Sequence, residues 1–112
     1  MEAYFVLDER GEPRREMNQE AWTRWFERAD RGVARTVLTP RVTVLTTFSG
    51  VDAAPDSETP LLFETRAFGG VLDGEEIQCG TRAEALAAHN ELAEWCRVGV
   101  EPDYGVAEAQ IR

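Results

Sequence analysis

His89, Cys79 and Cys96 are the side chains with the most reactive chemistry in the chain, since an imidazole beside a thiol can serve as general base, metal ligand or pH-sensitive group. His89 is the only histidine, and on a helical wheel it falls between Leu86, Ala93 and Cys96. A metal site needs three or four ligands, and His89 and Cys96 at i, i+7 stand roughly 10 Å apart along a helix, too far for joint coordination. The two cysteines show no C-x-x-C spacing and read as reduced thiols. No Ser-His-Asp, Cys-His or paired-carboxylate site assembles, and with one His and no Lys the general-base options are few. His89 therefore reads as a structural histidine, hydrogen-bonded in the core or at its edge, with no enzyme activity, metal or cofactor expected. The alternative kept for it is a small enzyme that uses His89.

The charged residues offer two further constellations. Asp73, Glu75 and Glu76 bracket Gly74 and could present carboxylates to a hard cation, but they lack the regular spacing of a calcium loop, and Asp-Gly is ordinary turn chemistry. Arg24, Arg28, Arg31 and Arg35 recur at steps of 4, 3 and 4, a single stripe for as long as a helix persists through them. Such a row of guanidinium forks can grip phosphates or an acidic protein surface. Glu20 and Glu27 lie four residues before Arg24 and Arg31, so the same residues also read as an exposed face of i,i+4 pairs.

Charge is unevenly placed along the chain. Residues 1–41 hold eight Arg and eight acids, whereas residues 42–112 hold four Arg and thirteen acids, so the whole net charge of −9 belongs to the second part. A neutral first part is a poor polycation, and no direct nucleic-acid binding is expected. An acidic second part points instead to a basic partner, with Asp73, Glu75, Glu76, Glu84, Glu91, Glu94, Glu101 and Asp103 as contact candidates.

These residues must be held by one small fold. A chain of 112 residues with 43% hydrophobic content fits a single domain, here 1–98, followed by an acidic tail, 99–112. Apolar runs of about four residues are far short of a membrane span, and the acids at Glu2, Asp8 and Glu9 do not suit a secretory leader, so a cytoplasmic protein with no membrane contact is expected. Residues 4–7 read as a strand closed by a Gly- and Pro-bearing turn at 8–13. Asn18 caps a helix ending near Gly32, with Met17 and Trp22 at staple spacing and Trp22, Trp25, Phe26 and Ala29 on its buried face. Strands follow at 33–38 and 42–48, then a loop at 49–60, strands at 61–68 and 75–79, and a helix over 81–98 opened by the Thr81-x-x-Glu84 capping box and stopped by Gly99. Alternation places Leu62, Glu64, Arg66 and Phe68 on one side of their strand. The expected order is β-α-β-β-β-β-α, an α+β fold with one antiparallel sheet of four to five strands and both helices packed on it.

Three stretches carry a family likeness: Trp22-x-x-Trp25-Phe26-Glu27-x-Ala29-Asp30-Arg31; Thr46-x-Phe48-x-Gly50-x-Asp52; and Phe63-Glu64-Thr65-x-x-Phe68-Gly69-Gly70-x-Leu72-Asp73-Gly74. Together with Thr81-x-x-Glu84-Ala85-x-x-x-His89, the chain resembles a group of short proteins encoded by bacteriophages and prophages, over most of residues 4–98. The resemblance implies a soluble accessory protein made in an infected or lysogenic bacterium and brings no activity with it. The expected function is non-enzymatic binding to a host or phage protein, with inhibition of a host nuclease or defence complex through a DNA-mimicking acidic surface as its sharpest form. Self-assembly into a homodimer, the Arg stripe of one copy against the acidic half of another, is the alternative.

Overall fold

The computed structural model describes residues 3–99. The elements are β1 (Tyr4–Leu7), β2 (Pro13–Glu16), α1 (Gln19–Arg28), β3 (Gly32–Thr39), β4 (Val42–Phe48), β5 (Phe63–Phe68), β6 (Glu76–Cys79) and α2 (Arg82–Gly99). Consecutive strands β3-β4-β5-β6 form an antiparallel meander, and β1-β2 is a separate two-stranded sheet. The fold is α+β as expected, but with two sheets rather than one and an additional strand before the first helix.

That additional strand lies where composition argues against one. Pro-Arg-Arg-Glu has little β preference, yet Asp8 folds the preceding turn, its Oδ1 accepting the N–H groups of Arg10 (2.8 Å) and Glu12 (2.9 Å). Those two donors hold the Asp8 carboxyl below its ordinary value. Gly11 supplies the left-handed φ of +80°. The turn thus delivers residues 13–16 onto β1 in register, Tyr4 opposite Glu16 and Leu7 opposite Pro13.

Alternation makes β4 the centre of the molecule. Val42, Val44, Thr46 and Phe48 are buried, and so are Phe63, Thr65 and Ala67 of β5. α2 covers this face with Ala85, Ala88, His89, Leu92, Ala93 and Cys96 buried. The opposite face of β5 carries Glu64, Arg66 and Phe68, as the alternation predicts. Leu62 departs from it: lying just before the strand, it turns into the core with Phe48, Phe63 and Ala85.

α1 does not lie on the sheet as expected. It ends at Arg28, short of Gly32, because Ala29 adopts an extended C-cap and the Asp30 carboxylate accepts the Gly32 N–H at 3.0 Å. None of its residues is buried. Its aromatic face packs on β1 and against Phe48, with the Trp22 ring tilted between those of Tyr4 and Phe26 at 4.7 and 4.6 Å and Trp25 edge-on to Phe48. Trp22 Nε1 donates to Phe5 O at 2.9 Å, which fixes α1 to β1. Asn18 caps Ala21 as predicted, but Met17 is 80% exposed and forms no staple with Trp22. At the other helix, Thr81 Oγ1 accepts the Glu84 N–H and Glu84 Oε1 accepts from Gly80 N–H, and the last turn continues through Gly99.

Two turn glycines separate backbone strain from crowding. Gly69 has φ +85°, and a Cβ there would lie 1.7 Å from the Arg41 carbonyl oxygen, whereas Gly74 has φ +91° and open space around it. Gly74→Ala should therefore cost only the left-handed penalty, about 1–2 kcal/mol. Gly69→Ala must also displace main chain and should cost roughly 3 kcal/mol or more. Denaturant unfolding of the two variants measures the difference, and equal losses would contradict the close approach of the β3–β4 and β5–β6 turns.

Candidate functional site

The buried face of α2 brings His89 against three strands. His89 is 3% exposed; its Nδ1 lies 2.8 Å from Thr46 Oγ1 on β4, and its Nε2 lies 2.8 Å from Thr36 Oγ1 on β3. Thr46 Oγ1 in turn lies 2.6 Å from Thr65 Oγ1 on β5. The protons of this chain have one consistent direction. Thr65 is fully buried, and the single partner of its hydroxyl among the described residues is Thr46, so Thr65 O–H must donate to Thr46. Thr46 O–H is then free to donate to Nδ1, and Nε2 carries the ring proton and donates to Thr36. The reverse tautomer would leave one hydroxyl proton, that of Thr46 or of Thr65, buried without an acceptor.

A hydroxyl donating to an imidazole is the geometry of an activated nucleophile. Here the oxygen belongs to Thr46, which is wholly buried, so no substrate carbon can approach it. Burial also pushes the His89 pKa down, which keeps the ring neutral, and pushes the Cys79 and Cys96 thiols up, which keeps them protonated and weakly nucleophilic. Among the described residues no group of three or more His, Cys, Asp and Glu is placed to hold a metal ion.

The predicted acidic surface is divided by the fold. Glu84, Glu91 and Glu94 are exposed on α2. Glu84 and Glu91 lie two turns apart along one line, and Trp95, 43% exposed, lies one turn beyond Glu91. Glu94 forms an ion pair with Arg97. Asp73 Oδ1 accepts the Gly69 N–H at 2.7 Å and, like Glu75, belongs to the β5–β6 turn. Glu76 lies on the other side of the sheet, where Arg66 joins it to Glu64 with both contacts at 2.8 Å. Glu101 and Asp103 lie outside the described residues, as does residue 100 onward of the predicted tail.

The Arg stripe is dispersed as well, because the helix that would align it stops at Arg28. Arg24 and Arg28 remain on α1, exposed. The Arg31 guanidinium stacks 4.1 Å from the Phe26 ring centre and donates to Phe48 O at 3.1 Å. Arg35 sits on β3. Neither Glu20–Arg24 nor Glu27–Arg31 forms an ion pair among the described residues. Sequence reasoning missed one surface feature, a shallow open hollow on the uncovered sheet face lined by Leu45, Thr47, Glu64, Arg66 and Phe68. The β4 and β5 alternations contain its residues, but only the strand pairing brings them together.

The neutral imidazole predicts a pH dependence. The unfolded chain takes up a proton near the ordinary value of 6.5, whereas the folded chain resists it, so the unfolded state binds more protons as pH falls. Stability should be full above about 6.5 and decline below it by up to about 1.4 kcal/mol per pH unit, until the folded ring itself protonates. Unfolding free energies of the wild type and of His89→Gln, measured across this range, should converge as pH falls; parallel curves would show that His89 contributes no such linkage. Comparison of the chain with protein-family models, with curated proteins and with solved structures finds no match.

Proposed function

We propose that the chain is a non-enzymatic accessory protein of phage or prophage origin that acts by binding a basic protein surface, such as the nucleic-acid channel of a host nuclease or defence complex. The observation that carries this is the outward side of α2, where Glu84, Glu91 and Glu94 stand exposed beside a half-exposed Trp95. Exposed carboxylates steer a basic partner and suppress wrong ones, while a partly exposed indole supplies the apolar anchor that charge alone lacks. The four neighbouring positions lie on one continuous helix, so their spacing is fixed before binding and little ordering cost attends association. Glu75 and Asp73 add charge at the β5–β6 turn. Glu76, held by Arg66 on the far face, is not part of this contact.

Capture of the tagged protein's partners from a bacterial lysate, at low and high salt, tests this. The retained protein should be basic and nucleic-acid-binding, should be released by salt, and should lose roughly tenfold or more in affinity when Glu84, Glu91 and Glu94 are changed to Gln, at a few tenths to about 1 kcal/mol per exposed charge. Trp95→Ala should weaken the same complex, and Arg24→Gln should not. A partner retained unchanged by the triple Gln variant would refute the acidic contact.

A further inference from the structure

Among the described residues the four-stranded sheet has two edges that no strand pairs, and they differ. β6 is short, four residues, with Glu76 as its first residue and Glu75 just before it. Shortness and charge are the usual protections of an edge strand. β3 has eight residues, Gly-Val-Ala-Arg-Thr-Val-Leu-Thr, with no Pro, no Lys and no acid, and its register is interrupted only near its ends, between Gly32 and Ala34 and between Val37 and Thr39. The intervening residues 34–37 pair regularly with β4 on one side.

Their other side is unpaired among the described residues, and its hydrogen-bonding groups can be assigned. Phe48 N–H donates to Arg31 O at 2.8 Å, so Phe48 and, by alternation, Thr46 and Val44 turn their backbone groups toward β3. Ala34 and Thr36 are the register partners of Thr46 and Val44 and turn theirs back. The N–H and C=O groups of Arg35 and Val37 therefore point away from the sheet. Both residues are exposed, Val37 by 51%.

We propose that β3 is a self-association edge, on which a second copy of this chain pairs antiparallel through its own β3. A two-fold axis at Thr36 sets Arg35 of each copy opposite Val37 of the other, so that each such pair exchanges two backbone hydrogen bonds and no like charges stand directly opposite. A shift that set Arg35 against its own copy would oppose two guanidiniums and is disfavoured. Charge selects this edge over β6 for a second copy. The chain carries −9, all of it from residues after 41, and β3 has Arg35 as its one charge with the exposed Arg41 just beyond it. Copies meeting through β3 hold their acidic β6 edges and β5–β6 turns apart, whereas pairing through β6 would place Glu76 of each copy, and the turns carrying Asp73 and Glu75, at the interface. The result is one sheet of twice four strands with an isologous interface. Because the axis is normal to the sheet, both α2 helices lie on the same side. The association stands on the strand edge alone, independently of what α2 binds.

Light scattering and sedimentation of the full chain over a wide concentration range should give twice the 12.6 kDa monomer mass at high concentration. Under those conditions the Arg35 and Val37 amides should be protected from hydrogen exchange, and protection should fall on dilution. Val37→Pro removes an N–H that the monomer's ladder does not use and should abolish the dimer; Val37→Lys, which leaves the backbone intact, should weaken it at least tenfold. Changing Glu84, Glu91 and Glu94 to Gln should leave it in place. A monomer at every concentration would overturn the proposal. So would a dimer whose Arg35 and Val37 amides exchange freely, or protection of those amides in a monomer, which would mean that another part of the same chain holds the edge.

Discussion

The tie between α2 and the sheet rests on one buried polar chain, Thr36–His89–Thr46–Thr65, and the rest of the structure depends on it. The apolar contacts of α2 are mostly small: Ala85, Ala88 and Ala93 join Leu92 and Cys96 on its buried side. Alanines let the helix approach closely but leave its rotation weakly specified. His89 specifies it, because an imidazole has two nitrogens in fixed directions, and here each meets a hydroxyl on a different strand at 2.8 Å. A rotation or slide of the helix breaks at least one contact inside the core, where an unmet polar group costs about 1–3 kcal/mol. None of the buried side-chain polar atoms among the described residues lacks a partner. The same polar chain therefore sets which residues of α2 face outward, and so places Glu84, Glu91 and Glu94 together.

Much of this was legible in the sequence wherever a local rule governs. The alternation Val42-x-Val44-x-Thr46-x-Phe48 marked a strand with one buried face, and Thr81-x-x-Glu84 marked the start of α2. Asn18 marked the start of α1 for the same reason, a side-chain oxygen three residues before a free amide. Elements fixed by tertiary context were not legible. β2 is polar and starts with Pro13, and it is a strand only because the Asp8 turn presents it to β1. α1 stops early because Asp30 and Gly32 make a better turn than another helical one, and that difference of one turn dismantles the Arg stripe. The helical wheel grouped His89 with Leu86, Ala93 and Cys96 but carried no information about Thr36, Thr46 and Thr65, which lie far away in sequence.

The surfaces divide by charge as well as by position. On the uncovered sheet face one guanidinium, Arg66, is shared by two carboxylates, Glu64 and Glu76, so that a single net negative charge is left among the three. The outward side of α2 holds unbalanced acids, with Arg97 answering Glu94 alone among the described ion pairs. The β3 edge is nearly neutral. A strongly acidic chain is thereby given one face on which a basic partner is favoured and one edge on which its own repulsion is least.

The central claim is that His89 is a neutral, doubly hydrogen-bonded structural group with its proton on Nε2. A long-range proton–nitrogen correlation spectrum of the imidazole at neutral pH tests it most directly. The expected result is a protonated Nε2 and an unprotonated Nδ1, with a slowly exchanging ring proton, unchanged until pH falls below the ordinary histidine value. An imidazolium at neutral pH, a proton on Nδ1, or two nitrogens averaged by exchange would contradict it.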